Sequence, residues 1–343
     1  MSRAAGLRVG LTFDLRDSGL RQPDAPADAL AELDDVETID DLAAALAALG
    51  HRVVRIGGLA ELVALDPGER AALDVVFNLA EGLRGRGREA QVPALLEAWG
   101  IAYSGADPVS MALTLDKALT KRVWLGCGLP TAAFCVVEVG AEIGAEGCGP
   151  PAAAAWFVKP VAEGSSMGVD EGSLVLDAES LRRRVEHVWR AYRQAALVEA
   201  YLPGREFTVG LLRGGEVLGV IENVSAGVAY SHEAKATLAT SDLSQRFRVP
   251  PEGELVASLA RLAQRAFRAV DCRDVARVDL RCDAAGRPHL LEINALPALA
   301  PRASSLRWMA EQAQWSYPAL IGTILEGALA RRSRHRQHPG GPS

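Results

Sequence analysis

The sequence predicts an α/β protein, and three stretches carry that prediction. Strand-like and helix-like segments alternate over roughly the first hundred residues, the pattern of a parallel sheet covered by helices. Two largely alternating apolar–polar segments, Val275–Cys282 and His289–Ile293, flank a turn at Asp283-Ala-Ala-Gly286 and read as a β-hairpin. The strand Trp156–Pro160 carries Lys159 at its end and runs into a glycine- and serine-bearing loop, Glu163-Gly-Ser-Ser-Met-Gly168. With 343 residues the chain has room for two or three domains, and 49% hydrophobic with 23% charged residues is the balance of ordinary globular proteins.

Taken in order, Leu7–Phe13 is an apolar run fit for a buried strand, and Asp14–Asp35, with Pro23 and Pro26, reads as a long loop. Ile39, Leu42, Leu46 and Leu49 recur at helical spacing, so Thr38–Leu49 is a helix with an N-cap at Thr38 and a stop at Gly50. Arg52–Ile56 and Asp74–Leu79 are strands, Gln91–Trp99 is a helix closed by Gly100, and Ile101–Tyr103 is a short strand. Asp107–Trp124 reads as one longer helix, capped by Asp107 with Pro108 in its first turn. Phe134–Val137 is a strand, Ala141–Ala155 a flexible Gly/Ala/Pro-rich connection, Ser173–Leu176 a strand and Leu181–Tyr192 a helix, with Arg182–Arg184 on a solvated face. Ala196–Glu199 is a strand, and Glu206–Leu212 with Glu216–Glu222 forms a hairpin about Gly214-Gly215. A loop spans Asn223–Pro251, a helix Leu255–Val270 and a last helix Leu320–Ala330. The tail from Arg331 has no apolar periodicity and is expected to be disordered.

Composition narrows the function classes. A formal net charge of −6 gives no reason to expect a nucleic-acid partner. No apolar run reaches the roughly 20 residues that cross a bilayer, and no secretory signal is visible. The five cysteines are odd in number, scattered and without a CxxC pair, which favours reduced thiols and a cytoplasmic location.

The chemistry-bearing residues fall into groups. On the hairpin, Glu292 and Asn294 lie two apart and share a face, and pairing brings Asp279 opposite them, with Arg277 on the same side. Three converging oxygen ligands suit Mg²⁺ completed by water and phosphate; the alternative is a solvated acidic face. Lys159 and its small-residue loop offer a point charge and approachable backbone N–H groups for phosphate, although such a loop alone also fits a plain turn. Lys117 is a further candidate, Glu199 offers a carboxylate at a strand end, and Pro203-Gly204 is a hinge or a turn.

Together these residues resemble the ATP-grasp superfamily and, within it, the D-alanine–D-alanine ligase family. The blocks are Val-Phe-Asn (76–78), Met-Ala-Leu-Thr-Leu-Asp-Lys-Ala-Leu-Thr-Lys (111–121), Val-Lys-Pro with Glu-Gly-Ser-Ser-Met-Gly (158–168) and Val-Glu-Ala-Tyr-Leu-Pro-Gly-Arg-Glu-Phe-Thr (198–208). Glu-Ala-Lys (233–235), Ala-Arg-Val-Asp-Leu (276–280) and Leu-Glu-Ile-Asn-Ala-Leu-Pro (291–297) follow in the family's order. The resemblance implies an N-terminal domain over 1–112 and two ATP-grasp subdomains, 113–202 and 203–330, that clamp ATP between them. It implies that Lys117 and Lys159 hold the ATP phosphates under the loop of Glu163 and Gly164, with Ser165 and Ser166 near the γ-phosphate and the substrate. Glu199, Ala200 and Leu202 match the adenine site, Glu206 the ribose ligand and Lys235 a lysine of a mobile loop. Asp279, Glu292 and Asn294 match ligands of two Mg²⁺ ions, for which Mn²⁺ is an alternative; Arg277 matches the arginine that stabilises the intermediates. Ser304 matches the serine that binds the acceptor's carboxylate, and Ala298 supplies a backbone N–H where the family has glycine. The implied activity is ATP-dependent ligation of an amino-acid-like donor carboxylate to an amine through an acyl phosphate, in a homodimer.

The chain departs from the family on the substrate side. The Gly-Gly-x-Ser-x-Glu signature after the first strand is absent, since the chain reads Gly10-Leu-Thr-Phe-Asp-Leu-Arg16. The family's His-Gly-x-x-Gly-Glu-Asp-Gly loop is replaced by Glu81–Glu89, and Ala236 stands where the family has tyrosine. Altered donor specificity is therefore expected, with Arg84, Arg86 and Arg88 hinting at an acidic or larger donor. A D-alanine–D-alanine ligase with an unusual donor site and a non-ligating nucleotide-binding protein are the competing readings.

Overall fold

The computed structural model describes residues 6–16, 25–143, 151–224 and 243–337, the last six of these by backbone alone. Its first sheet is parallel, in the order β2 (Arg52–Gly57), β1 (Arg8–Thr12), β3 (Val75–Asn78). The central strand aligns Val9 with Val53 on one side and Val75 on the other. Such a strand is covered on both faces, so it reads as an unbroken apolar run. Helix α1 (Val36–Ala48) covers it, and its cap is Asp35, whose carboxylate accepts from Thr38 N–H, three residues before the expected cap. Two short helices absent from the sequence reading follow, α2 (Leu59–Ala64) and α3 (Pro67–Ala71), then α4 (Gln91–Ala98). The strand expected at Ile101–Tyr103 is a single parallel bridge from Tyr103 to Val76.

The expected helix over Asp107–Trp124 is two helices, α5 (Pro108–Leu115) and α6 (Lys117–Gly126). Asp116 takes extended backbone between them, and its carboxylate accepts from Leu119 N–H at 2.9 Å. The break makes Lys117 the first residue of a new helix. Beyond α6 lies an antiparallel sheet in the order β4 (Phe134–Val137), β7 (Ala196–Ala200), β5 (Trp156–Pro160), β6 (Leu174–Val175), packed on α7 (Ala178–Tyr192). β6 is shorter than predicted because Glu171–Ser173 forms a turn of 3₁₀ helix.

The largest sheet is antiparallel, in the order β10 (Phe247–Arg248), β9 (Glu216–Asn223), β8 (Glu206–Leu212), β11 (Val275–Cys282), β12 (Pro288–Asn294). Phe207, Val209, Val278 and Leu280 bury against α8 (Glu254–Ala269) and against Met111 and Trp124 of α5 and α6. Helix α9 (Ser305–Gln312), also missed in the sequence, lies over Gly210; a Cβ there would come within 2.7 Å of Leu306 and Met309. Gly204, offered as hinge or turn, is a close-approach site, because a Cβ would lie 2.6 Å from the Cys282 carbonyl.

Helix α10 (Tyr317–Gln337) overturns the disordered tail from Arg331 over its first seven residues. Leu320, Ile321, Ile324 and Leu325 pack with Val9, Leu42, Leu46 and Phe77 in one core. Arg331 pairs with Asp274 and donates to the Tyr103 carbonyl at 2.7 Å, which fixes the helix beyond its apolar stretch. Among the described residues no helix is long and apolar enough to cross a membrane, and Cys127, Cys135, Cys272 and Cys282 form no disulfide.

Candidate active site

A cavity of about 440 Å³ is lined from both antiparallel sheets and from the segment preceding α1. The hairpin β11–β12 supplies its floor. Asp279 stands directly opposite Glu292, and Arg277 opposite Asn294, so all four project to one face as the alternation predicts. Arg277 holds Asp279 with its Nη2 at 3.0 Å and lies 3.8 Å from Glu292. Burial works against the Arg277 charge, but Asp279 and Glu292 outweigh it and raise the guanidinium pKa. Thr208 on β8 donates to the other Asp279 oxygen at 2.7 Å. Asn294 turns its Oδ1 onto the Leu296 N–H, at the edge of this group.

The lysines come from opposite directions. Lys117, placed by the break at Asp116, donates to the Glu163 carbonyl and lies 3.6 Å from Glu292. Lys159, at the end of β5, pairs with Glu199 on the adjacent strand at 2.7 Å. Glu199 also pairs with Lys121 at 2.6 Å. Burial pushes this carboxylate up, yet the two lysines outweigh burial and hold its pKa at about 2. Glu199 is thus a bridge that fixes Lys159. Lys121, which the sequence reading passed over, supports the site from behind Glu199; it sits one helical turn after Lys117, wholly buried, and donates to Thr131. Ala200, Leu202 and Glu206 line the same cavity. Burial raises the Glu206 pKa against the pull of Arg281, its ion-pair partner at 3.1 Å.

Between β5 and β6 the loop Glu163–Gly168 closes one side. Ser165 and Ser166 both take left-handed backbone, φ +46° and +60°, and both line the cavity. They are the central residues of a turn closed by the Met167 N–H on the Gly164 carbonyl at 2.8 Å, and the backbone N–H groups of turns are a common means of receiving anions. Ser304 and Ala298 line the opposite end, with the Ser304 hydroxyl donating to the Ala298 carbonyl at 2.6 Å. Arg246, unnoticed in the sequence, is buried on this wall with Arg277. Lys235 and Ala236 lie outside the described residues.

The three arginines offered as donor readers do not line this cavity. Arg84, Arg86 and Arg88 line a second cavity of about 700 Å³. Arg86 pairs with Asp116 at 2.7 Å, and Arg88 is buried between Glu32 at 2.7 Å and Glu163 at 3.3 Å. Carboxylates of Glu32, Glu81 and Glu89 gather within 4.8 Å of one another beside it. One arginine does not offset that many acids, and burial, reinforced by Glu32, pushes Glu89 up to about 8. The first cavity is lined near the start of α1 by Arg16, Glu32, Asp34, Asp35 and Thr38.

Two lysines, an arginine and paired carboxylates facing a glycine- and serine-bearing loop across two antiparallel sheets define an ATP-grasp enzyme, an ATP-dependent ligase that forms carbon–nitrogen bonds. The chain belongs to the D-alanine–D-alanine ligase family: the family model described as "D-ala D-ala ligase C-terminus" matches residues 123–326. An uncharacterised protein of Sinorhizobium fredii, y4sG, is 35% identical over 85% of this chain and 87% of its own length. A D-alanine–D-alanine ligase of Xanthomonas axonopodis pv. citri is 36% identical over 75% of this chain and 78% of its own. The crystal structure of a D-alanine–D-alanine ligase from Bacillus anthracis complexed with ATP superposes with a TM-score of 0.74 at 21% identity, covering 96% of this chain and all of that one, and so shares the fold.

Proposed function

We propose that the chain joins a donor carboxylate to an amino-acid-like amine through an acyl phosphate, with a donor site altered from that of the D-alanine–D-alanine ligases. The observation that carries this reading is the convergence of Lys117, Lys159, Arg277, Asp279, Glu292 and the Ser165–Ser166 pair on one cavity, beside substrate-side segments that lack the family's signatures.

A free carboxylate is a poor acyl donor because its leaving group would be oxide; phosphorylation by ATP supplies a good one. Lys117 and Lys159 are the proposed phosphate ligands, and the Glu199 ion pair that orients Lys159 supports that role. The Ser165–Ser166 backbone, which lines the same cavity, is the proposed receiver of the terminal phosphate. Asp279 and Glu292, with Asn294 beside them, are hard oxygen donors paired across adjacent strands, and this set fits Mg²⁺. Two such ions would neutralise charge on the transferring phosphoryl group. Arg277 can donate two parallel hydrogen bonds to the oxyanion that forms when the amine attacks. Ser304 and the Ala298 backbone are the proposed seat of the acceptor's carboxylate, and Lys235 is the proposed lysine of a closing loop.

The donor expectation changes in one respect. Arg86 and Arg88 are committed to Asp116, Glu32 and Glu163, so an acidic donor gains no support from them. The wall formed by Arg16, Glu32, Asp34 and Asp35 carries the donor specificity in this proposal. A D-alanine–D-alanine ligase with a rebuilt donor wall is the second reading, favoured by the names of the relatives. A screen of amino-acid pairs with phosphate release as readout separates them: turnover with D-alanine alone establishes the second reading, and turnover only with another donor establishes the first. Absence of ATP turnover with every carboxylate removes the ligase reading. Asp279→Asn is expected to abolish turnover.

A further inference from the structure

We propose that the acidic segment Ala25–Asp35 is a clasp that sets the phosphate loop, with Asp28 and Glu32 as positioning residues; this rests on the reading that the loop receives the terminal phosphate of ATP. The segment is remote from the loop in sequence but holds both of its ends. The Glu32 carboxylate accepts from the Gly164 N–H. The Asp28 carboxylate accepts from the Gly168 N–H at 2.8 Å and from the Tyr192 hydroxyl at 2.9 Å. Arg88 stands behind the first contact, donating to Glu32 at 2.7 Å and to the Ala162 carbonyl at 3.0 Å.

Between these two pins lie Ser165 and Ser166, in left-handed backbone that L residues hold only when their surroundings over-determine it. The clasp is that constraint. Carboxylates take the outer N–H groups of the loop, and the two central residues face the cavity. The segment is itself anchored, because Asp34 shares backbone hydrogen bonds with Asp14 and Arg16 and Asp35 caps α1. Its residues Ala31, Leu33, Asp34 and Asp35 line the same cavity. One element therefore touches the donor wall and the phosphate loop together, so a donor seated against it bears on the geometry that receives the phosphate.

The test uses the full chain with Mg²⁺ and equilibrium binding of ADP and of β,γ-methylene ATP. Asp28→Ala and Glu32→Ala are each expected to weaken binding of the ATP analogue about tenfold, the loss of one charge-assisted hydrogen bond, while ADP binding changes by no more than about twofold. Asp28→Asn keeps an oxygen that can accept from Gly168 and is expected to recover most of the affinity. Equal binding of the analogue by Asp28→Ala and the parent overturns the clasp. So does an equal loss of both nucleotides, which is the mark of a general structural defect. A parent that binds neither nucleotide removes the ligase reading and the clasp with it. Because Glu32→Ala uncovers buried Arg88 and can impair folding, Asp28, whose partners are a tyrosine hydroxyl and one N–H, decides the matter.

Discussion

At the scale of single residues, the buried charges make the sharpest predictions. Glu199 lies between Lys121 and Lys159, and Glu199→Gln leaves two lysines facing each other in a buried site. Breaking a buried ion pair from one side costs about 3–5 kcal/mol, so the variant is expected to lose that much in urea denaturation. Glu89 behaves in the opposite sense. With its pKa raised from 4.5 to about 8, chiefly by burial, it keeps a proton in the folded state that the unfolded chain has already released. Its contribution is complete below about pH 4.5 and is lost as pH rises towards 8. Stability should fall across that window, and Glu89→Gln should flatten the fall in a series of melts. Asp279, Glu292 and Arg277 were legible in the sequence, because strand alternation and hairpin register are local rules. Lys121 was not, since a lone helix lysine reads as surface until Glu199 arrives from another strand. Asp28 and Glu32 gave no signal either, because what they hold lies far along the chain.

At the scale of elements, the break at Asp116 shows how a small local choice places chemistry. Helical spacing runs on from Asp107 to Trp124, so periodicity alone predicts one helix. Asp116 ends it by offering its carboxylate to Leu119 N–H, a competition between side chain and backbone that pattern reading does not resolve. Asp116→Ala is expected to cost about 1 kcal/mol from the cap alone. It also frees Arg86 and lets Lys117 drift, so the Michaelis constant for ATP should rise in steady-state kinetics. The strands of the three sheets were mostly visible beforehand, as short apolar or alternating runs bounded by Gly and Pro. Helices α2 and α3 were missed because they have only six and five residues, too few to establish a period, whereas α9 was missed although α4, of the same eight residues, was seen.

At the scale of the whole molecule, the parallel sheet and α10 form one core although they lie at opposite ends of the described chain. Ile321 is fully buried against that sheet, so Ile321→Ala should cost about 2–5 kcal/mol. Probes placed in the first hundred residues should report the same shift in denaturation midpoint as probes in the C-terminal helices. Arg331 strengthens the coupling by joining Asp274 to the Tyr103 carbonyl. The consequence reaches into biosynthesis. During synthesis strands β1–β3 and α1 precede α10, so the core that α1 starts against one face of the sheet is completed only when residues 317 onward have been made. A nascent chain must therefore carry this core unfinished from the synthesis of β3 to that of α10, and it is in that interval that it would most need a chaperone.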